Sequence, residues 1–409
     1  MTGLPSEPPA RFGLARPPLA GVRVIAVEQY GAGPFATMYL SDMGAEIIKI
    51  EAPGTGDSSR QSGPYYLGAD DSEFFQTFNL GKKSLTLDLR QSEGKAILYR
   101  LVAGADAVLN NLRGDQPGKL GLAYDTLKAV KPSIVCAHLS GYGRTGSRAA
   151  WPAYDYLMQA EAGFLSLTGE PDGPPTRMGL SIVDYLTGIT TAFALTAALY
   201  GAARSGIGGD VDVTLYDVAM HQLTYPATWY LNEGYETARR PRSGHPSVVP
   251  CETFPTRDGQ IFVMCILPKF WENLCRIVGC DDLLADPRFT TNRDRFENRE
   301  ALIARLEEAF AAQGTGDWMA RLAGHVPAAP VLTVAGALDN PYFRSGGGVQ
   351  TVAHPVRAEL GVLSNPIRID GQRAEARRGP SLGEHTDAIL GELGYSAAEI
   401  DALRAARTV

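Results

Sequence analysis

A single carboxylate, Asp184, stands near the start of an apolar segment, residues 181–203, in which it is the one charged side chain. Two roles suit a carboxylate in these surroundings. It can act as a nucleophile and form a covalent intermediate that a dry pocket protects from water. Alternatively, it can cap the helix by accepting hydrogen bonds from free N–H groups. An unperturbed aspartate is ionised at pH 7. Burial raises the pKa of a carboxyl, but a helix N-terminus lowers it, and we expect this second effect to keep Asp184 ionised at neutral pH.

A glycine-rich turn is the second candidate site. Residues 31–36, GAGPFA, follow an apolar run and precede a helical pattern, and Glu51 ends the next apolar run. This arrangement is typical of a nicotinamide-dinucleotide site and leaves a dehydrogenase as one alternative. Pro34 argues against it, because proline has no N–H to offer a pyrophosphate. A tight turn that ends the first strand is the other interpretation.

The elements that position these residues alternate between strand and helix. Helical patterns such as residues 92–105 separate apolar runs that read as strands at 21–27, 46–53, 84–89, 105–112 and 132–143. Strands that alternate with helices predict an α/β fold with a doubly wound, Rossmann-like parallel sheet.

The character of the chain changes after residue 224. We expect a flexible N-terminal arm over residues 1–20 and a large domain over 21–224. Two short strands around Asp258 and Gly259 begin a smaller α+β domain over 225–340. Residues 341–409 are expected to return and pack on the large domain with two short helices.

Composition limits the classes of function. The 409 residues carry a net charge of −7, so we do not expect nucleic acid as a partner. The apolar segment is interpreted as a buried helix and not as a membrane span, and the Pro-rich N-terminus does not resemble a signal peptide. The five cysteines have no C-x-x-C spacing, so we expect neither a metal site nor disulfides. Free cysteines of this kind predict a cytoplasmic protein.

Several stretches, in order along nearly the whole chain, resemble the family III CoA-transferases, which include formyl-CoA transferase, carnitine CoA-transferases and α-methylacyl-CoA racemase. The stretches are GPFATMYLSDMGAEIIKIEAPGTGD, FFQTFNLGKKSLTLDL, LNNLRGDQPGKLGL, SGYGRTGSRA, AYDYLMQAEAG, TRMGLSIVDYLTGITTAFALTAALY, DVDVTLYDVAM and LGEHTDAILGELGY. The resemblance implies an interlocked homodimer that acts on acyl-CoA and a small carboxylic acid, with no tightly bound cofactor. It also implies that the first glycine turn faces coenzyme A.

The resemblance assigns roles residue by residue. Asp184 becomes the nucleophile, which carries the acyl group as an anhydride and then CoA as a thioester. The residues implied to bind CoA follow the successive strands: Gly31, Ala32, Leu87, Asp88, Leu89, Arg90, Asn111, Leu112, Arg113, Lys119, Tyr154 and Asp155. Carboxyl ends of strands are where open α/β sheets bind ligands, so this placement is physically coherent.

Some positions depart from particular relatives. Tyr154 stands where the racemase branch has a histidine, and a phenol is a poor base at pH 7, which favours transfer over the alternative, 2-methylacyl-CoA racemisation. Ala52 and Pro152 replace an arginine and a lysine of formyl-CoA transferase. The long Gly-rich flap of the oxalate-using members is absent, so we do not expect oxalate as the acceptor.

Overall fold

The computed structural model describes residues 17–409, so most of the predicted N-terminal arm lies outside the described residues. In this range the strands are β1 (Arg23–Val27), β2 (Glu46–Glu51), β3 (Lys83–Thr86), β4 (Ala107–Asn110), β5 (Val135–Ser140), β6 (Gly209–Thr214), β7 (Cys251–Pro255), β8 (Gln260–Met264), β9 (Ala328–Pro330), β10 (Val349–Val352), β11 (Leu360–Leu363), β12 (Arg368–Ile369) and β13 (Gln372–Arg373).

The α-helices of the same range are α1 (Ala32–Asp42), α2 (Glu73–Phe78), α3 (Ser92–Ala103), α4 (Pro117–Leu120), α5 (Tyr124–Leu127), α6 (Asp155–Glu161), α7 (Phe164–Leu167), α8 (Ile182–Ser205), α9 (Leu215–Gln222), α10 (Thr224–Glu233), α11 (Pro268–Val278), α12 (Asp282–Ala285), α13 (Asn292–Glu297), α14 (Arg299–Ala311), α15 (Thr315–Leu322), α16 (Val334–Leu338), α17 (Pro341–Ser345), α18 (Thr386–Glu392) and α19 (Ala397–Ala405). Short 3₁₀ turns lie at Ser58–Gln61, Pro241–Ser243 and Pro287–Phe289.

The first six strands pair in parallel and form one sheet in the order β3-β2-β1-β4-β5-β6. This confirms the predicted doubly wound α/β fold. Successive residues of β1 enter different cores, because Ile25 joins the cluster that includes α3 while Val24 joins the cluster that includes α1 and α8. The sixth strand, β6, is an addition to the predicted set.

The chain forms two compact units. The first contains residues 17–158, 180–222 and 341–409 of the described range, and the second contains residues 159–179 and 223–340. Residues 159–179 therefore depart from the expected large domain. Their physical tie is to the second unit, since Arg239 donates to the carbonyl oxygens of Gly173 and Pro174 at 2.9 Å.

The second unit has its own core around the three-stranded antiparallel sheet β7-β8-β9. The predicted hairpin around Asp258 and Gly259 is confirmed, with Phe254 paired to Ile261. Helix α14 supplies Leu302, Ile303 and Leu306 to this core. Helices α13 and α14 follow each other directly and are divided at Asn298.

The return segment completes the first unit. Ile389 and Leu390 of α18, Ile400 of α19 and the terminal Val409 are buried in the cluster that covers one face of the sheet. The amide of Asp88, after β3, donates to the carbonyl oxygen of Thr408 at 2.8 Å. The end of the chain therefore lies against the loop that leaves β3.

Helix α8 is long and apolar enough to cross a membrane by length and composition alone. It packs on α1, β5 and β6 through a face that includes Thr187, Gly188 and Leu195. The opposite face is exposed, with Phe193 at 74% and Tyr200 at 65% exposure. The predicted buried helix is therefore buried along the face that packs on α1 and the sheet, and its opposite face is exposed in the single chain.

Candidate active site

The loop after β1 meets the loop after β4 at the carboxyl edge of the sheet. The amide of Gln29 donates to Oδ1 of Asn111 at 2.8 Å, and Nδ2 of Asn111 donates to the carbonyl oxygen of Gln29 at 2.7 Å. A Cβ atom at Gly33 would lie 2.8 Å from the Asn111 side chain. Glycine is required here for close approach, which fixes the start of α1 beside Asn111.

Asp184 is the third residue of α8, and Ser181 is the N-cap. Neither Asp184 carboxylate oxygen accepts a hydrogen bond from the residues that the structure describes. The interpretation of Asp184 as a helix cap is therefore wrong. Its Oδ2 atom lies 2.7 Å from the point where a Cβ atom at Gly31 would stand, so the glycine turn leaves the space that the carboxylate occupies.

Asp155 performs the capping instead. It is the first residue of α6, it is buried, and its Oδ2 accepts a hydrogen bond from the backbone N–H of Asp184 at 2.9 Å. The family resemblance implied that Asp155 binds CoA, but its carboxylate lies at the first turn of α8 and it does not line the cavity described next. The two aspartates are therefore brought together by backbone contact.

This arrangement changes the acidity of the candidate nucleophile. Burial, with a further contribution from the nearby Asp155 carboxylate, raises the pKa of Asp184 to about 7. The expectation of a fully ionised side chain at neutral pH is therefore wrong, because the helix N-terminus does not outweigh desolvation.

A cavity of about 200 Å³ opens in front of Asp184. It collects most of the predicted residues of this end of the site: Gly31, Ala32, Asn111, Leu112, Arg113, Tyr154 and Asp184. Tyr154 lies in its wall and its side chain is exposed. Gln29, Tyr30 and Trp151 also line this cavity and were not predicted.

A second, larger cavity of about 1060 Å³ lies along the ends of β2 and β3. The predicted residues Leu87, Asp88, Leu89 and Arg90 line it, although they form the loop after β3 and not a strand. Residues 52–55 and the C-terminal residues Ala406, Arg407 and Val409 form further parts of its wall. Arg407 was not predicted, because the contact of the C-terminus with this loop is a tertiary one.

The predicted cations differ in their positions. Arg90 pairs with Asp88 at 2.8 Å in the larger cavity, and Arg113 pairs with Asp115 at 2.6 Å beside the smaller one. Lys119 pairs with the same Asp115 at 2.6 Å and lines neither cavity. The two cations hold the pKa of the Asp115 carboxyl below its usual range. Lys119 therefore lies next to the predicted site without forming its wall.

A buried cluster of charges supports the loop after β1. Nζ of Lys49 lies 2.8 Å from the Asp57 carboxylate and donates to the carbonyl oxygen of Glu28 at 3.0 Å. The Asp57 carboxylate accepts the N–H of Tyr30 at 3.1 and 3.2 Å. Tyr30 has a φ of 67°, an unfavourable value for a side chain of this size. The cluster thus stabilises the strained residue immediately before Gly31.

Glu51, which sequence analysis placed near a ribose-binding position, has a structural role. Its two carboxylate oxygens accept hydrogen bonds from Arg60 at 2.7 and 2.8 Å, and Ser84 donates to it at 2.6 Å. The pair is fully buried. These partners occupy both oxygens of the Glu51 carboxylate, which therefore cannot bind the ribose of a dinucleotide as the dehydrogenase interpretation requires.

Residues 17–409 contain no group of three or more potential metal ligands. The five cysteines are free and buried, and burial raises the pKa of the Cys136 and Cys265 thiols to about 12. His138 is also a core residue, with Nδ1 2.8 Å from the Asn110 amide nitrogen and Nε2 2.9 Å from Asp210. Of the two charged side chains that line the smaller cavity, Arg113 is paired with Asp115, whereas Asp184 has no hydrogen-bond or ion-pair partner in the described chain.

Comparison with known proteins places this site in a family. The model of CoA-transferase family III matches residues 19–386. The chain is 34% identical to a succinate--glutarate CoA-transferase of Agrobacterium fabrum, over 92% of this chain and 96% of the relative. It is 35% identical to an acetyl-CoA:oxalate CoA-transferase of Acetobacter aceti, over 92% of this chain and 95% of the relative.

A solved structure agrees with these relatives. The crystal structure of a CAIB/BAIF family protein from Brucella suis superposes with a TM-score of 0.80 at 35% identity, covering 92% of this chain and 99% of that chain. Family model, relatives and fold point to the same chemistry, with CoA thioesters as substrates. The chain belongs to CoA-transferase family III and is an enzyme of that class.

Proposed function

We propose that this enzyme moves coenzyme A from an acyl-CoA donor to a small carboxylic acid, with Asp184 as the covalent nucleophile. The observation that carries the proposal is the Asp184 carboxylate itself, which faces the smaller cavity and accepts no hydrogen bond from residues 17–409. A carboxylate whose oxygens are engaged by backbone amides would be a poor nucleophile, and this one is not engaged.

The first half-reaction uses the ionised form of Asp184. One carboxylate oxygen attacks the thioester carbonyl, and the C–S bond breaks to give a mixed anhydride and CoA thiolate. The thiolate then attacks the aspartyl carbonyl, which releases the donor acid as its carboxylate and leaves an aspartyl-CoA thioester. The acceptor carboxylate repeats these two steps in reverse order. No proton, oxidant or metal is consumed.

The glycine turn supports this reaction sterically and electrostatically. Gly31 has no side chain, which leaves room for the thioester next to Asp184. Gly31 is also the N-cap of α1, and the first-turn N–H groups of a helix have no partner within it. We propose that these amides stabilise the oxyanion that forms on the attacked carbonyl.

Coenzyme A is proposed to lie along the carboxyl edge of the sheet. Its thioester end occupies the smaller cavity at the ends of β1 and β4, and its adenosine end occupies the larger cavity at the ends of β2 and β3. The two cavities belong to adjacent strands, as an extended ligand requires. Asp88 and the backbone of residues 87–90 would contact the adenosine, whereas Lys119 contacts neither part directly.

The names of the relatives suggest which acids to test first. They include succinate and glutarate for one relative and oxalate for another, so family membership does not by itself fix the acid. We propose a screen with succinyl-CoA and acetyl-CoA as donors and with glutarate and oxalate among the acceptors, read by mass spectrometry of the CoA products. A 2-methylacyl-CoA incubated in deuterated water without an acceptor acid tests the alternative. Deuterium incorporation at its α-carbon would indicate 2-methylacyl-CoA racemase activity.

The nucleophile is tested with Asp184→Asn and a matched control. Asp217 is the third residue of α9, as Asp184 is of α8, and it lies on the surface. We expect Asp184→Asn to lower kcat by at least about 10³-fold, as loss of other covalent nucleophiles does, and Asp217→Asn to have no such effect. Hydroxylamine should inactivate the wild type only after acyl-CoA is added, and leave a hydroxamate at Asp184. Turnover of Asp184→Asn at a near-normal rate would exclude the mechanism.

We also propose that the enzyme is a homodimer, interlocked as the family resemblance implies. The support is the exposed apolar face of α8, with Ile189, Phe193 and Tyr200, which a second copy of the chain would cover. Phe193→Glu should shift the mass measured by light scattering toward the monomer, and Lys128→Glu, immediately after α5, should not. A wild-type enzyme that is monomeric at micromolar concentration would contradict this part of the proposal.

A further inference from the structure

We propose that Arg407, at the C-terminal end of the chain, binds the 3′-phosphate of coenzyme A in the larger cavity. The inference rests on the proposed function, because it takes the bound ligand to be the coenzyme. Arg407 lines this cavity beside Ala406 and Val409, opposite the loop that leaves β3. It would be a binding residue for the nucleotide end and take no part in the covalent steps.

The backbone of Arg407 is held in an unfavourable conformation. Its φ is 56°, in the left-handed region that residues other than glycine seldom adopt. Two hydrogen bonds on its C-terminal side maintain it: Nε2 of Gln91 donates to the Arg407 carbonyl oxygen at 3.1 Å, and the amide of Asp88 donates to the Thr408 carbonyl oxygen at 2.8 Å. Buried Val409 anchors the end. Strain maintained by several contacts is a common mark of a functional position.

The charges in the cavity single out this arginine. Its lining includes two cations, Arg90 and Arg407, among the described residues. Arg90 is already bound to Asp88 through two hydrogen bonds, at 2.8 and 3.0 Å. The side chain of Glu51, which also lines the wall, is bound to Arg60. Arg407 alone of the two cations has no carboxylate partner within residues 17–409, so its guanidinium is available to an anion.

The position of Arg407 selects one anionic group of the coenzyme. Its neighbours Gln91 and Asp88 belong to the loop after β3, where the adenosine end is proposed to lie. The 3′-phosphate is attached to the adenosine ribose, whereas the diphosphate lies nearer the thioester. A guanidinium forms paired, charge-assisted hydrogen bonds to a phosphate, which makes arginine well suited to this contact.

The test compares acyl-CoA with the corresponding acyl-3′-dephospho-CoA. For the wild type we expect a KM at least about tenfold lower for acyl-CoA, the value of one charge-assisted contact. Arg407→Ala should raise the KM for acyl-CoA by about that factor, leave the KM for the dephospho substrate unchanged and leave kcat at saturation similar. Arg407→Lys should recover part of the preference.

Arg404→Ala is the matched control, since Arg404 lies on α19 and pairs with Asp387 and Asp401 on the surface. It should not change the preference. Calorimetric binding of CoA and 3′-dephospho-CoA to Asp184→Asn separates the two proposals, because binding needs no turnover. Equal loss of affinity for both ligands in Arg407→Ala, or full retention of the 3′-phosphate preference, would overturn the role of Arg407. Loss of covalent trapping with this preference intact would overturn the Asp184 mechanism alone.

Discussion

The carboxylate of Asp155 accepts the backbone N–H of Asp184 at 2.9 Å and lies close enough to raise the pKa of the Asp184 side chain. One buried acid thus caps the helix that presents the other. The cap frees the Asp184 carboxylate from any role in the helix, but its charge, together with burial, makes that carboxylate harder to ionise. The two effects are separable, because an asparagine retains the acceptor oxygen and loses the charge.

The first prediction concerns the dependence of activity on pH. Because only the carboxylate form of Asp184 attacks, and its pKa is raised to about 7, kcat/KM should increase about tenfold per pH unit below 7 and level off above it. Asp155→Asn should move this limb to lower pH, and the surface variant Asp125→Asn should leave it in place. A limb near pH 4 in the wild type, or no movement in Asp155→Asn, would contradict the assignment.

The second prediction concerns stability. The folded-state pKa of Asp184 is raised from 3.8 to about 7, so the acid form favours folding and its contribution is lost as pH rises between these values. Asp184→Asn removes this loss. The variant should therefore exceed the wild type in free energy of unfolding by about 1–2 kcal/mol at pH 8, a figure reduced for the partial exposure of the site. Denaturant titrations at pH 5 and pH 8 should show a smaller difference in free energy of unfolding between the variant and the wild type at pH 5. A larger difference at pH 5 than at pH 8 would have the wrong sign.

A third prediction uses the space that Gly31 leaves. A Cβ atom there would stand 2.7 Å from Oδ2 of Asp184, so Gly31→Ala should turn the carboxylate away from the cavity while the backbone remains. We expect kcat to decrease about 100-fold, as a 1 Å misplacement can cause, with little change in Tm. Gly391→Ala in α18, where a new Cβ would meet no atom within 4 Å, is the control. Normal kcat in Gly31→Ala would show that Asp184 is not confined as described.

The local pattern of apolar residues was sufficient to predict most strands of the large domain. Runs of apolar residues predicted β1 to β5, because strands of a buried parallel sheet are apolar on both faces. β6 was missed since Asp210 and Asp212 interrupt its apolar run. These acids lie at the sheet edge, where Asp210 accepts the amide of Tyr124 and Arg144 pairs with both. The alternation of Asp and Val over 210–213 was the available signal.

The candidate site was predictable where it depends on chain order and less so where distant segments meet. Gly31, Asn111 and Asp184 follow strands or begin a helix, so motif and resemblance locate them. Asp155 and Arg407 reach their places through tertiary contacts, and neither contact has a local pattern. The raised pKa of Asp184 was likewise missed, because burial at the start of a helix is decided by how the surrounding elements pack.

The last prediction concerns the buried charges under the glycine turn. Asp57 binds both the Lys49 ammonium and the N–H of strained Tyr30, and burial, which alone would raise its pKa, is outweighed by Lys49 and Ser59, so the pKa is lowered. Asp57→Asn leaves a buried lysine without its closest partner and should cost about 3 kcal/mol in the free energy of unfolding at pH 7. In the wild type, the contribution of the Asp57 carboxylate to the free energy of unfolding is fully present above the pKa that it has in the unfolded chain. This contribution is lost as the pH falls from there through its lower folded-state pKa. Denaturant titrations should therefore show the difference between the two proteins shrinking toward pH 3, whereas Asp125→Asn, a surface pair with Lys128, should change stability by less than about 0.5 kcal/mol.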